Sequence, residues 1–205
     1  MANEGNPVAN TQAQFGFKHI GYLSGYAPDY QETPVLIQST YSTAIGFGDP
    51  VAKSGAYIVR ADPANTTTQI RGIFQGCRPT YAAVGYPTPS PGWSGSAAAA
   101  DTVGYVVDAP GALFLVATLL TAVTTTNIGN AVGFTTSTPS TVGGMYSVAT
   151  IDQSTATSTG TTASLLPFKI VSLYQGIGNG SDASSNYNWA IVTFNDQAWK
   201  VPQGA

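Results

Sequence analysis

The side chains with chemistry to offer are few, and they stand apart. His19 is the only histidine of the 205-residue chain and Cys77 the only cysteine. A Ser-His-Asp relay would have to run through His19. That residue sits in an aromatic run, "FGFKHIGY", not at a strand end facing a nucleophile, and no G-x-S-x-G elbow is present. His19 therefore reads as a structural or surface residue. One His and one Cys cannot supply the tetrahedral N/S set that zinc takes. The ten acidic residues are isolated from one another. "DQSTATSTG", starting at Asp152, begins like a calcium loop but lacks the second and third acidic positions. Two aspartates can always meet in space as a glycosidase pair, but no spacing singles out such a pair. The glycine-rich "GIGNGSD" (176–182) lacks the lysine and the following helix of a phosphate loop. Cys77, alone, forms no intramolecular disulfide and reads as a small buried hydrophobe. These residues predict no catalysis, no metal and no cofactor.

Two loops stand out for their backbone rather than their chemistry. In "GFGDPV" (46–51), Pro50 fixes its own φ and keeps Asp49 extended. Gly46 and Gly48 permit a bulge or a positive φ, and Phe47 and Val51 resume the apolar pattern. The stretch reads as a kink in a strand. In "YPTPSPGWSGS" (86–96), Pro87, Pro89 and Pro91 stiffen the chain toward polyproline II. Trp93 follows, and two readings stand level. The loop either presents Trp93 to a partner or folds it back over its own core, since Trp is enriched in both settings.

The elements that hold these residues are read from composition and periodicity. Only 8% of residues are charged, against about a quarter in ordinary domains. The seven basic residues are scattered singly and the net charge is −3. That excludes an electrostatic footprint for nucleic acid or a polybasic membrane contact. Ser, Thr, Asn and Gly supply the polarity instead, a mixture suited to a β-rich protein in a large assembly. The start, "MANEGNPVANTQAQ", has neither the positive nor the apolar region of a signal peptide. The most apolar run, "GALFLVATLLTAV" (111–123), is shorter than the ~20 residues of a membrane span and reads as core. The expectation is a chain made in a cytoplasm, soluble or assembled.

Residues 1–34 read as a tail followed by an extended arm. From 15 to 34 the aromatics Phe15, Phe17, Tyr22, Tyr26 and Tyr30 recur among glycines and prolines without helical period. They are the candidate protein-interface residues, together with Trp93. Residues 35–205 read as one β-rich domain, or as two β subdomains divided near the Pro-rich loop 86–101. Strands are predicted at "PVLIQST", "AYIVRA", "TQIRGIFQGC", on both sides of "DAPG" in "TVGYVVDAPGALFLVAT", and at "LLPFKIVSLYQ" and "YNWAIVTFND". The last two flank a long polar hairpin loop. In the final strand Tyr187, Trp189 and Ile191 share one face, and Ala190, Val192 and Phe194 the other. "ATLLTAVTTTNIGNAVG" has room for one or two helical turns, but its β-branched threonines oppose a long helix. The Ser/Thr tracts "TSTPSTVGG" and "STATSTGTT" read as surface loops. The fold class is all-β: a mainly antiparallel barrel or sandwich with little helix.

The order of motifs carries a resemblance. An arm "FGFKHIGYLSG" is followed by "YSTAIGFGDPV", then "I-x-G-I-F-x-G" (70–76), "YVVDAPGALFLV", "NIGNAVG" and a closing "KIVSLYQ…NWAIVTFND". This succession, from about residue 15 to 196, resembles head decoration, or cement, proteins of tailed bacteriophages. The resemblance implies a virion protein on the capsid exterior, often a homotrimer, whose partner is the major capsid protein. It implies stabilisation of the shell against internal DNA pressure, with no catalysis, no cofactor, no nucleic acid and no membrane. Two other classes share the composition. One is a tail, baseplate or fibre component. The other is a carbohydrate-binding or carbohydrate-active β module, whose aromatics would line a sugar groove.

Overall fold

A computed structural model describes residues 14–28, 31–64, 69–81, 83, 85–95, 98–119, 121–141, 144–158, 160–175 and 188–198. Tyr30, Tyr187 and the "GIGNGSD" string lie outside the described residues. The chain is nearly all β, as its composition predicts. Strands β2 (Thr33–Ile37), β3 (Pro50–Ser54), β4 (Tyr57–Arg60), β5 (Ile70–Arg78) and β6 (Thr102–Val107) close into a barrel in the order β2-β4-β3-β5-β6. Antiparallel β2 and β6 pair from Thr33↔Val106 to Ile37↔Thr102, and β2 meets β4 in parallel at Leu36↔Tyr57. The remaining strands are β1 (Lys18–Tyr22), β7 (Ala112–Ala117), β8 (Ala131–Thr135), β9 (Thr150–Thr157), β10 (Phe168–Leu173) and β11 (Trp189–Phe194). They form a six-stranded sheet in the order β1-β7-β11-β10-β8-β9.

Two cores follow from these layers. The barrel interior holds Ile37, Ile45, Val51, Ile58, Phe74, Cys77, Trp93 and Val106. The second core lies between barrel and sheet: Ala52, Ile70, Ile73 and Val107 of the barrel meet Phe114, Val116, Phe168, Ile170, Val192 and Phe194 of the sheet. Alternation along β11 does what the sequence predicts, with Ala190, Val192 and Phe194 fully buried and Trp189 and Ile191 half-buried on the other face. The antiparallel β10–β11 pair is the predicted hairpin at strand level.

Two expectations need correction. The arm is not merely laid on a surface. Residues 18–22 form β1, an edge strand hydrogen-bonded to β7 with Lys18 opposite Leu115 and Tyr22 opposite Ala112. Its neighbour Phe17 is fully buried, stacked on Phe168 at 4.4 Å between ring centroids. Burying one Phe is worth about 1.5–3 kcal/mol, so the segment is tied to its own sheet before any partner is met. The turn "DAPG" lies between two strands as predicted, with β6 in the barrel and β7 in the sheet. A change of layer falls at residues 108–111, and the two layers share a core. The tract "STATSTGTT" is not a loop. Its first residues end β9, and its last begin a short helix, α1 (Gly160–Leu165). Threonine suits a pleated strand as readily as a loop, so composition alone could not separate the two. The run after β7 holds a single 3-10 turn at Thr125–Asn127.

Candidate functional site

The "GFGDPV" kink is a junction, and Asp49 is its centre. The Asp49 side chain is fully buried. Its Oδ2 accepts the Gly46 N–H at 2.8 Å, and its Oδ1 accepts the Ser147 hydroxyl. Ser147 Oγ in turn accepts the Ala149 N–H at 2.9 Å. Around this pair the backbone ties three distant segments together. Phe17 N–H donates to Gly48 O at 2.9 Å, Gly48 N–H to Phe74 O at 2.7 Å, and Phe47 N–H to Met145 O at 2.7 Å. The close approach needs glycine. A Cβ on Gly16, whose φ is +70°, would fall 2.5 Å from the Ser147 Cβ, and one on Gly46 would fall 2.7 Å from the Ser147 nitrogen. Burial pushes the Asp49 carboxyl above its ordinary range, against the opposing pull of the Ser147 and Gly46 hydrogen bonds and the Arg60 charge. The motif therefore holds the N-terminal segment, the barrel and residues 145–149 in one place, with the Asp49 carboxylate enclosed.

The other sequence candidates fall into three groups. Trp93 is fully buried and plugs the barrel. Its indole N–H donates to Tyr41 O at 2.9 Å, and its backbone exchanges two 2.8 Å hydrogen bonds with Ile45. The loop folds the ring onto its own core, the second of the two readings above, and Trp93 is not presented to a partner. Phe17 is buried in the same sense. Phe15 and Tyr22 are half-buried, and Tyr22 stands edge-on to His19 at 5.0 Å. Tyr26 alone of the described arm aromatics is largely in water, 76% exposed. Cys77 is buried, its thiol contacts Gly92 O at 3.5 Å, and burial pushes its pKa up to about 12. It sits where a small hydrophobe belongs.

Two hollows remain. A cavity of about 290 Å³ between barrel and sheet is lined by Asp62, Asp152 and Asp196. Each carboxylate is already engaged locally: Asp62 accepts from Ala64, Asp152 from Ser154, and Asp196 from the Gln69 side-chain amide at 2.9 Å. Asp152 starts no loop, since it lies within β9. Among the described residues, no group of three or more His, Cys, Asp or Glu is placed to hold a metal ion.

The second hollow, about 410 Å³, lies where β1, β7 and β11 of the sheet meet the "GFGDPV" turn, β5 and residue 146. Its walls are Phe15 and Trp189, edge-on with ring centroids 5.1 Å apart, and Phe47 and Tyr146, edge-on at 6.1 Å. Leu115 lines it too, and Lys18, His19 and Gln75 bring polar groups. Sequence reasoning named only Phe15 among these as a binding residue. The signal for Trp189 was present, because alternation along β11 placed it on the face opposite the core. Phe47, Gln75 and Tyr146 arrive from separate segments, and no spacing announces them.

A third feature is a row of side chains across the outside of the barrel. Tyr57 on β4, Leu36 on β2, Val103 on β6 and Arg78 on β5 occupy successive register positions. Leu36 is 41% and Val103 36% exposed. Beside them Pro34 lies opposite Tyr105, and the Arg78 guanidinium sits 5.6 Å from the Tyr105 ring centre. No protein-family model, curated protein or solved structure matches the chain.

Proposed function

We propose that the chain is a structural virion protein that cements the outer surface of a phage capsid, binding the major capsid protein as a homotrimer. The observation that carries this reading is the outward-facing apolar row Leu36–Val103 with Pro34 and Tyr105 beside it, on a barrel whose closure leaves no free edge to pair. Aliphatic side chains set in register across neighbouring strands form a continuous patch, the kind of surface that a partner covers. The arrangement suits a rigid clamp. A closed barrel presents a fixed face, so little ordering entropy opposes docking. A protein that binds only the assembled lattice stabilises that lattice by mass action, and repetition over many sites makes modest contacts strong together.

The test is co-sedimentation of the purified chain with DNA-free, expanded capsids produced from the same genome, followed by a heat challenge. Binding with a raised disruption temperature is expected. The double variant Leu36→Lys, Val103→Lys should lose binding by at least tenfold while its circular dichroism stays unchanged. If the unaltered chain fails to sediment with the capsids, the cement reading falls. If it binds and the folded double variant binds equally well, the barrel row is not the interface. Symmetric averaging of decorated particles tests the trimer, and a lone copy away from any three-fold or quasi-three-fold axis would refute it.

A further inference from the structure

We propose that the 410 Å³ hollow between the six-stranded sheet, the "GFGDPV" turn and β5 binds a saccharide that carries a carboxylate. This site is separate from the barrel row, and nothing in the capsid reading requires it.

The wall chemistry selects the ligand. The volume lies at the lower end of the range of small-molecule sites, about 300–1,000 Å³. Four aromatic rings supply apolar faces with negative potential at their centres, against which the C–H faces of a sugar ring pack. Two of the polar groups, the Trp189 indole N–H and the Gln75 side-chain amide nitrogen, are buried donors that make no hydrogen bond among the described residues. An indole nitrogen only donates, and so does an ammonium. Buried donors without acceptors are uncommon and unfavourable in folded proteins, and here two of them belong to residues that line one hollow. Lys18 adds a positive charge on an exposed side chain, and no carboxylate lines the site among the described residues.

A hydrocarbon ligand would leave both nitrogens without acceptors. A neutral sugar would supply acceptors but leave Lys18 without a counter-charge. A phosphate-bearing ligand carries up to two charges and is ordinarily met by several cations or a cradle of backbone N–H groups, and Lys18 is the only Lys or Arg among the described residues of the lining. A carboxylated sugar matches all three features: a ring for the aromatics, ring and hydroxyl oxygens for Trp189 and Gln75, and one negative charge for Lys18. Both nitrogens are shielded from water, so the ligand reaches them by turning aside the half-buried Phe15 ring that stands edge-on to the indole.

The experiment titrates the full chain, 15N-labelled, with trigalacturonate, with neutral galactotriose and with adenosine monophosphate, following the Trp189 indole N–H resonance. That resonance is assigned with the Trp189→Phe variant. Trigalacturonate should shift it saturably with a Kd of about 1 mM or tighter, and galactotriose should bind more weakly by about threefold, the worth of one exposed ion pair. Lys18→Gln should remove that preference without changing the fold. Trp189→Phe keeps the ring face and deletes the donor, and should weaken trigalacturonate by about fivefold, read from the remaining amide shifts. Absence of any saturable shift with trigalacturonate would overturn the proposal. So would equal affinity for the neutral trimer, tighter binding of the nucleotide, or full affinity in a folded Trp189→Phe variant.

Discussion

Replacing Asp49 tests whether the "GFGDPV" turn is held from within. In Asp49→Ala, the Gly46 N–H and the Ser147 hydroxyl both lose their acceptor inside the protein. Each orphaned donor costs about 1–3 kcal/mol, partly offset because alanine brings no charge to bury. The expected net loss is about 2–4 kcal/mol. Asp49→Asn is gentler. Its amide oxygen can still accept the Gly46 N–H, but its amide nitrogen must face Ser147 Oγ. That oxygen already accepts the Ala149 N–H, so the serine proton is left without an acceptor, at a cost of about 1–2 kcal/mol. The two chains should also differ in pH dependence. Burial raises the folded pKa of Asp49, while the unfolded chain titrates near 3.9. Below both values each state is protonated. Between them the folded state binds more protons than the unfolded state, so stability falls as pH rises from about 4 through the raised folded value, and then levels off. The asparagine variant has no such loss at this position. The advantage of the unaltered chain over Asp49→Asn is therefore greatest near pH ~3 and shrinks toward pH ~7. Urea unfolding followed by tryptophan fluorescence, with both chains in identical buffers, measures that gap. Subtraction cancels Asp196 and Glu32, which burial also raises, and Asp101, which hydrogen bonds from Ser39 and Tyr57 lower. A gap that is flat or widens with pH would refute the reasoning.

Trp93→Ala and Phe17→Ala should each lower stability by about 3–5 kcal/mol in the same urea assay, whereas Tyr26→Ala, at an exposed position, should stay within about 0.5 kcal/mol. An unchanged midpoint for Trp93→Ala would mean that the barrel does not depend on its plug. Cys77 should resist a thiol reagent at pH ~8 in the folded chain and react readily in urea, because its thiol is buried with a pKa of about 12. Fast labelling without denaturant would place the sulfur at the surface.

Much of the fold was legible because alternation is a local signal. Ala190, Val192 and Phe194 declare the core face of β11 within six residues, and the strands around "DAPG" announce themselves by continuous apolar runs. Layer membership was not legible. Nothing near residues 108–111 says that β6 pairs with β2 and β5 while β7 pairs with β1 and β11, since those partners lie far along the chain. The arm was misread for a related reason. Its glycines conceal a strand: β1 has a register shift between His19 and Gly21, where Gly21 has a φ of +159°, so no clean alternation survives in the sequence. The hollow was the least legible feature. Its walls come from the N-terminal segment, the "GFGDPV" turn, β5, β7, residue 146 and β11, and only the folded chain brings them together.

The docking of β1 onto β7 decides which surfaces remain for partners. Had residues 15–34 been a loose arm, Phe15, Phe17 and Tyr22 would all have been available to a neighbouring subunit. Instead Phe17 fills the core, Tyr22 leans on His19, and Phe15 becomes a wall of the hollow. What the segment leaves in water is its tip, with Leu23 55% and Tyr26 76% exposed. Leu23 is itself pinned by its N–H to Gly111 O at 2.9 Å, and the Tyr22 N–H donates to Tyr26 O at 3.1 Å. The tip is thus a short, braced projection at the edge of the sheet. A braced tip loses little entropy on docking, so under the cement reading its two exposed side chains would add contact area beyond the barrel row at small cost. Removing residues 1–26 would delete β1 and Phe17 along with the tip, and so would unfold the sheet edge instead of testing an interface. The pair Leu23→Ser, Tyr26→Ser removes the apolar tip and keeps the strand. Under the cement reading it should weaken capsid binding in the sedimentation assay while leaving the unfolding midpoint within about 0.5 kcal/mol of the original. Unchanged binding would confine the capsid contact to the barrel.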